Sequence, residues 1–70
     1  MKITYDKSVD VLRILFSDRP VHESDEEKPG LIFDYDAQGH LVGIEMLDAS
    51  EHVDNPRAVD FAEVTGAAFR

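Results

Sequence analysis

Seventy residues allow one small domain, and fifteen acidic against seven basic residues set its formal charge at −8. The chain has no cysteine and no tryptophan, which excludes disulfides, thiolate catalysis and cysteine-based zinc sites. A chain this short buries only about 60% of its unfolded surface. Strand packing and self-association must therefore stabilise it, and a homodimer or higher homo-oligomer is expected.

In chain order, Lys2-Ile3-Thr4-Tyr5 is β-branched and aromatic and reads as a strand. Asp6-Lys7-Ser8 is a polar turn. The strand from about Val11 to Phe16 places Leu12, Ile14 and Phe16 on one face and Arg13 on the other. Ser17-Asp18-Arg19-Pro20 is a second turn, stopped by proline. The run 21–28 has almost no apolar content and reads as a charged edge strand, a device against edge-to-edge aggregation. Pro29-Gly30 turns the chain again.

Leu31-Ile32-Phe33-Asp34-Tyr35 and Leu41-Val42-Gly43-Ile44-Glu45-Met46 flank Asp36-Ala37-Gln38-Gly39. That pattern predicts a hairpin with a type I turn and Gly39 left-handed. Pairing Asp36 with His40 puts Leu31, Phe33 and Tyr35 on one face with Leu41 and Glu45. Ile32 and Asp34 then share the other face with Val42, Ile44 and Met46. Asp48-Ala49-Ser50-Glu51 has the form of a capping box and predicts a short helix. Asn55-Pro56 predicts a second helix start, with Ala58, Val59, Ala62 and Val64 facing the core and the end of the chain fraying from Thr65. A strand through Val59 and Phe61 is the rival reading.

The expected fold is α+β and mainly β: a small antiparallel sheet of hairpins, four to five strands, followed by one or two short C-terminal helices. It forms a single domain over 1–70, with 1–49 as the β core and 50–70 as an extension. The longest apolar runs, Ile14-Leu15-Phe16, Leu31-Ile32-Phe33 and Ala67-Ala68-Phe69, fall far below the roughly 18 residues of a membrane span. Asp6, Lys7, Asp10 and Arg13 interrupt any signal-peptide core. No membrane association and, given the absence of thiols, a cytoplasmic location are expected. The scattered basic residues make no stripe for phosphates, so no nucleic-acid binding is expected.

Asp34-Tyr35-Asp36-Ala37-Gln38-Gly39 followed by Glu45 imitates a calcium loop, with Gln38 at a ligand position. Its flanks read as strands, and the expected register sends Asp34 and Glu45 to opposite faces, so a turn is the reading. Tyr35 to Leu41 also looks like one unit of a YD repeat, but one copy makes no array. His22, His40 and His52 lack the spacing of a helical zinc pair and read as surface residues. No serine or threonine sits on a nucleophile elbow, and no phosphate loop is present. No catalytic residue, metal ligand or cofactor is assigned. The strongest charge feature is Glu23, Asp25, Glu26 and Glu27, read as a solvated edge or as a docking surface that steers a basic protein.

Five segments together carry a family likeness: Met1-Lys2-Ile3-Thr4-Tyr5-Asp6, Asp10-Val11-Leu12-Arg13-Ile14, Glu23-Ser24-Asp25-Glu26, Gly30-Leu31-Ile32-Phe33-Asp34-Tyr35-Asp36, and Gly39-His40-Leu41-Val42-Gly43-Ile44-Glu45-Met46-Leu47-Asp48. Over roughly 1–49 the chain resembles the family called domain of unknown function 2283. The resemblance implies a compact β-rich domain and an antitoxin-like pairing with a small basic ribonuclease-type toxin. It implies no activity and no site residue.

The functional expectation is a non-enzymatic protein-interaction module that self-associates and binds a basic protein partner through Glu23, Asp25, Glu26 and Glu27. The alternative is a small metal-dependent or acid/base enzyme using Asp34, Asp36 and His40 in a site assembled at a subunit interface.

Overall fold

The alternating segments form strands, as the period-two pattern dictates. A computed structural model describes residues 1–66. Five antiparallel strands make one sheet: β1 (Lys2–Asp6), β2 (Val11–Leu15), β3 (Glu23–Lys28), β4 (Leu31–Tyr35) and β5 (Leu41–Leu47). Their spatial order is β1-β2-β5-β4-β3. The N-terminal hairpin and the β3–β4–β5 meander thus meet where β2 pairs with β5, and β5 is the central strand.

The β4–β5 turn forms as its residues require. The Asp36 N–H donates to the His40 carbonyl at 2.9 Å, and the Gly39 N–H donates to the Asp36 carbonyl at 3.1 Å. Gly39 has φ 84°, a left-handed conformation that glycine adopts without steric cost.

The expected register holds only for the first pair beyond that turn. Tyr35 faces Leu41, but Asp34 faces Gly43, so Val42 is an extra, bulged residue. The bulged carbonyl accepts two donors from the end of β2, the Phe16 N–H at 2.8 Å and the Ser17 N–H at 3.4 Å. A shift of one residue exchanges the faces of everything beyond it. Phe33 is therefore opposite Ile44, and Ile32 is opposite Glu45. Asp34 and Glu45 share a face, which corrects the expectation that they point apart.

The expected C-terminal helices are absent from the described residues, and the fold is all-β. After β5 a 3-10 turn spans Ala49–Glu51. Asp48 makes no capping bond and sits left-handed at φ 52°. Asp10, distant in sequence, takes that role: its Oδ1 accepts the Ser50 N–H at 3.0 Å and its Oδ2 accepts the Ser50 hydroxyl at 2.6 Å. Asn55 Oδ1 accepts the Arg57 N–H at 3.0 Å, but no helix follows. Ala58, Val59, Ala62 and Val64 are exposed, not core-facing. So short a segment, carrying Val59, Phe61, Val64 and Thr65, needs tertiary packing to stay helical and finds none. The fraying expected from Thr65 falls largely on 67–70, which lie outside the described residues.

The sheet is a single layer. The substantial contacts between elements are those between hydrogen-bonded neighbouring strands. Among the described apolar side chains only those of Val42 and Ala49 are fully buried. The chain exposes 5594 Å², against about 4,400 Å² for a compact monomer of its 7.9 kDa mass. Its radius of gyration is 13.8 Å, against about 11 Å for that length. The segment after Val53, exposed along almost all of its length, contributes to this excess.

Candidate interaction surface

The bulged register sorts the side chains into two unlike faces. On one, cross-strand neighbours form an apolar row, Ile3, Ile14, Ile44 and Phe33, which ends on Asp25 of β3. A second row runs Tyr5, Leu12, Met46 and Leu31 and ends on Lys28 of β3. No strand or helix among the described residues lies across these rows, but the segment after β5 stands against them: His52 beside Leu31 and Met46, and Pro56, Arg57 and Val59 beside Ile3 and Tyr5. Their central side chains are half-buried by one another, and Ile3 at the margin is exposed.

This apolar face has charged margins. At the β3 margin, Glu23 is opposite Tyr35 and Asp25 is opposite Phe33. The Tyr35 hydroxyl lies 3.5 Å from Glu27 Oε2. Burial, followed by the charges of Glu27, Asp25 and Glu23, pushes the Tyr35 phenol above its ordinary value. Three of the four acidic residues singled out in the sequence thus stand on one face. Glu26 faces the other way, and its Oε2 accepts the Gly30 N–H at 2.8 Å. Lys28, beside the register shift, is opposite Leu31 and stands on the apolar face with Glu23, Asp25 and Glu27, so this margin carries both signs.

At the β1 margin, an open cleft of about 580 Å³ is lined by Met1, Ile3, Tyr5, Lys7, Arg57 and Val59, with Pro56 at its wall. Its two charged side chains, Lys7 and Arg57, are cations. They lie 50 residues apart in sequence, as 57 − 7 = 50, so no local pattern announces the pair. Tyr5 is fixed there by its hydroxyl, which donates to Asp10 Oδ1 at 2.7 Å. That bond raises the Tyr5 phenol, and the Ser50 hydroxyl followed by Tyr5 lowers the Asp10 carboxyl. Asp10 therefore joins β1, the first turn and the 3-10 turn.

The opposite face is polar at its centre. Asp34, 1% exposed, accepts the Ser24 hydroxyl at 2.6 Å through Oδ1, while Arg13 Nη2 stands 3.9 Å from Oδ2. Gly43, directly opposite Asp34, leaves room for this carboxylate over the sheet. Glu45 lies within hydrogen-bonding reach of Asp34. That contact, with burial and the Asp34 charge, raises the Glu45 carboxyl against the opposing pull of Arg13. Arg13 Nε and Asp34 Oδ2 have no hydrogen-bond partner among the described residues.

Asp36, 4% exposed, organises the turn. Its Oδ1 accepts the N–H groups of Gln38 at 2.9 Å and His40 at 2.8 Å, and Arg19 Nε donates to Oδ2 at 2.7 Å. Burial raises this carboxyl, but the two backbone donors, Arg19 and His40 together outweigh burial and lower it. His40 Nδ1 is 3.5 Å from Oδ2. The fold thus brings Asp36 and His40 together and turns Asp34 to Ser24, Arg13 and Glu45. Among the described residues no three acidic or histidine side chains converge as a metal cage, and no helix is long and apolar enough to cross a membrane.

A one-layer antiparallel sheet with one apolar and one polar face defines the class: a small all-β domain with no second strand or helix layer among the described residues. The chain belongs to the family described as protein of unknown function (DUF2283), whose profile matches residues 2–50. That span covers all five strands and stops within the 3-10 turn. Comparison with curated proteins and with solved structures gave no match.

Proposed function

We propose that the protein is a non-enzymatic protein-interaction module that works by laying its apolar sheet face against another protein surface, that of a second copy first. One observation carries this reading: a sheet whose apolar face is covered by no strand or helix among the described residues. Sheets bury such a face against a second layer in stable domains, and an exposed apolar patch of this size marks an interaction site in soluble proteins. The polar side chains do not compete with this reading. Asp10, Asp34 and Asp36 are engaged in tying turns and strands together, a structural use of their charge.

Sedimentation velocity over a range of concentrations tests the proposal, with Ile44→Lys as the variant, because Ile44 stands at the middle of the apolar face. The expected result is reversible assembly of the unaltered chain and loss of assembly in the variant, with its strand content retained by circular dichroism. A chain that stays monomeric at every concentration sinks self-association. A basic protein partner, whose approach Glu23, Asp25 and Glu27 favour, then becomes the occupant to seek.

A further inference from the structure

We infer that segment 60–64 is a strap that folds back into the cleft at the β1 margin, with Phe61 as its anchor, and closes that end of the apolar face to partners. The inference rests on the reading that the apolar face is the working surface, and adds to it a device that regulates access.

Three observations lead to it. First, an apolar cleft and apolar side chains stand next to each other without meeting. Met1, Ile3 and Val59 line the cleft and remain exposed. Phe61, 82% exposed, and Val64, 56% exposed, follow in the chain. Two residues of extended chain span at most about 7 Å, so Phe61 is within reach of the cleft that Val59 already lines. The cleft, at about 580 Å³, has the size of a small-molecule site and is roomy enough for a phenyl ring.

Second, the charges match. The cleft carries the cations Lys7 and Arg57. The segment reads Asp60-Phe61-Ala62-Glu63-Val64, so carboxylates accompany its two large apolar side chains. Seating Phe61 in the cleft brings Asp60 and Glu63 to the margin that holds the cations. Third, the root of the segment is fixed while its continuation is unpacked. The Ala49 N–H donates to the Asp10 carbonyl at 3.0 Å, and the Val53 N–H donates to the Ala49 carbonyl at 2.9 Å. Val53 and Pro56 are half-buried, and every residue from Arg57 to Gly66 is exposed. A segment tethered this closely meets its site at a millimolar effective concentration. Weak contacts therefore close it, and a partner at micromolar concentration must displace it. The conformation described above is the open one.

The test uses the full chain, which has no tryptophan, so Phe61→Trp introduces a single indole as reporter. With about two thirds of the chains closed, acrylamide quenching of the indole and affinity for a partner both fall about threefold. The expected result is emission to the blue of that in urea and quenching weakened by that factor, at every protein concentration. Adding Ile3→Glu, which puts a carboxylate in the cleft, or Lys7→Glu, which reverses an exposed cation, is expected to restore quenching toward its value in urea. Circular dichroism shows that each variant keeps its strands. Phe61→Asp is expected to self-associate about threefold more tightly than the unaltered chain in sedimentation velocity. An indole quenched as freely as in urea would overturn the strap and leave the apolar face as the working surface. Protection that grows with protein concentration would overturn closure within one chain and give the segment to a second copy. Protection that survives both cleft variants would overturn the cleft as its seat. A protected indole with unchanged association of Phe61→Asp would overturn the strap as a regulator. If neither chain self-associates, the self-association reading of the face fails, and the indole alone decides the strap.

Discussion

Gly43→Ala examines the closest approach in the sheet. Gly43 lies opposite Asp34 on one side and Leu15 on the other. A Cβ there would stand 3.1 Å from the Ile14 carbonyl oxygen, 3.5 Å from Asp34 Oδ2 and 3.5 Å from Leu15 Cδ1. The last two are ordinary contacts. The first is not, and its partner is backbone held in the β2–β5 ladder, which cannot swing aside as a side chain can. Overpacking of this kind costs about 1–3 kcal/mol. Alanine recovers about 0.4–1 kcal/mol by restricting the unfolded chain. The net expectation is a loss of about 1 kcal/mol, a fall in Tm of about 4–8 °C for a domain of this size. Thermal unfolding followed by circular dichroism measures it, at one fixed protein concentration because association shifts Tm. An unchanged or raised Tm would refute the argument that the strand spacing at Gly43 depends on the missing side chain.

Two further outcomes are expected. Glu45, raised above the ordinary 4.5 by Asp34 and burial, contributes its full stability below that value and loses it as pH rises through its folded pKa. Glu45→Gln lacks that loss, so urea titrations from pH 4 to 7 should show the variant gaining on the unaltered chain as pH rises. A difference independent of pH would remove the Asp34–Glu45 coupling. Asp6, Asp10 and Asp36, all lowered, act with the opposite sign and lose their contribution as pH falls through their folded values. Asp10 also has φ 57°, so Asp10→Asn, which tolerates that backbone, should retain more thermal stability than Asp10→Ala. Equal melting temperatures for the two would show that neither the backbone conformation nor the bonds to Tyr5 and Ser50 matter.

The strands, their limits within a residue or two, and the Gly39 turn were legible in the sequence. Each follows from local causes: alternation in Ile3-Thr4-Tyr5 and Leu12-Arg13-Ile14, proline and glycine at the breaks, and a glycine where φ is positive. The acidic character of β3 was legible for the same reason. What faces what was not. The bulge at Val42 depends on N–H groups of Phe16 and Ser17 reaching its carbonyl across the sheet, and that single extra residue moves Glu45 to the side of Asp34 and Ile44 to the side of Phe33. The capping-box letters at Asp48 were read as a helix start, yet Asp10, brought up by the first hairpin, takes the donors of Ser50. The apolar letters after Asn55 were read as a helix face, yet no layer stands over them to hold one. Local backbone preferences are written into neighbouring residues. Register, and the approach of Lys7 and Arg57 to one cleft, arise only when distant segments come together.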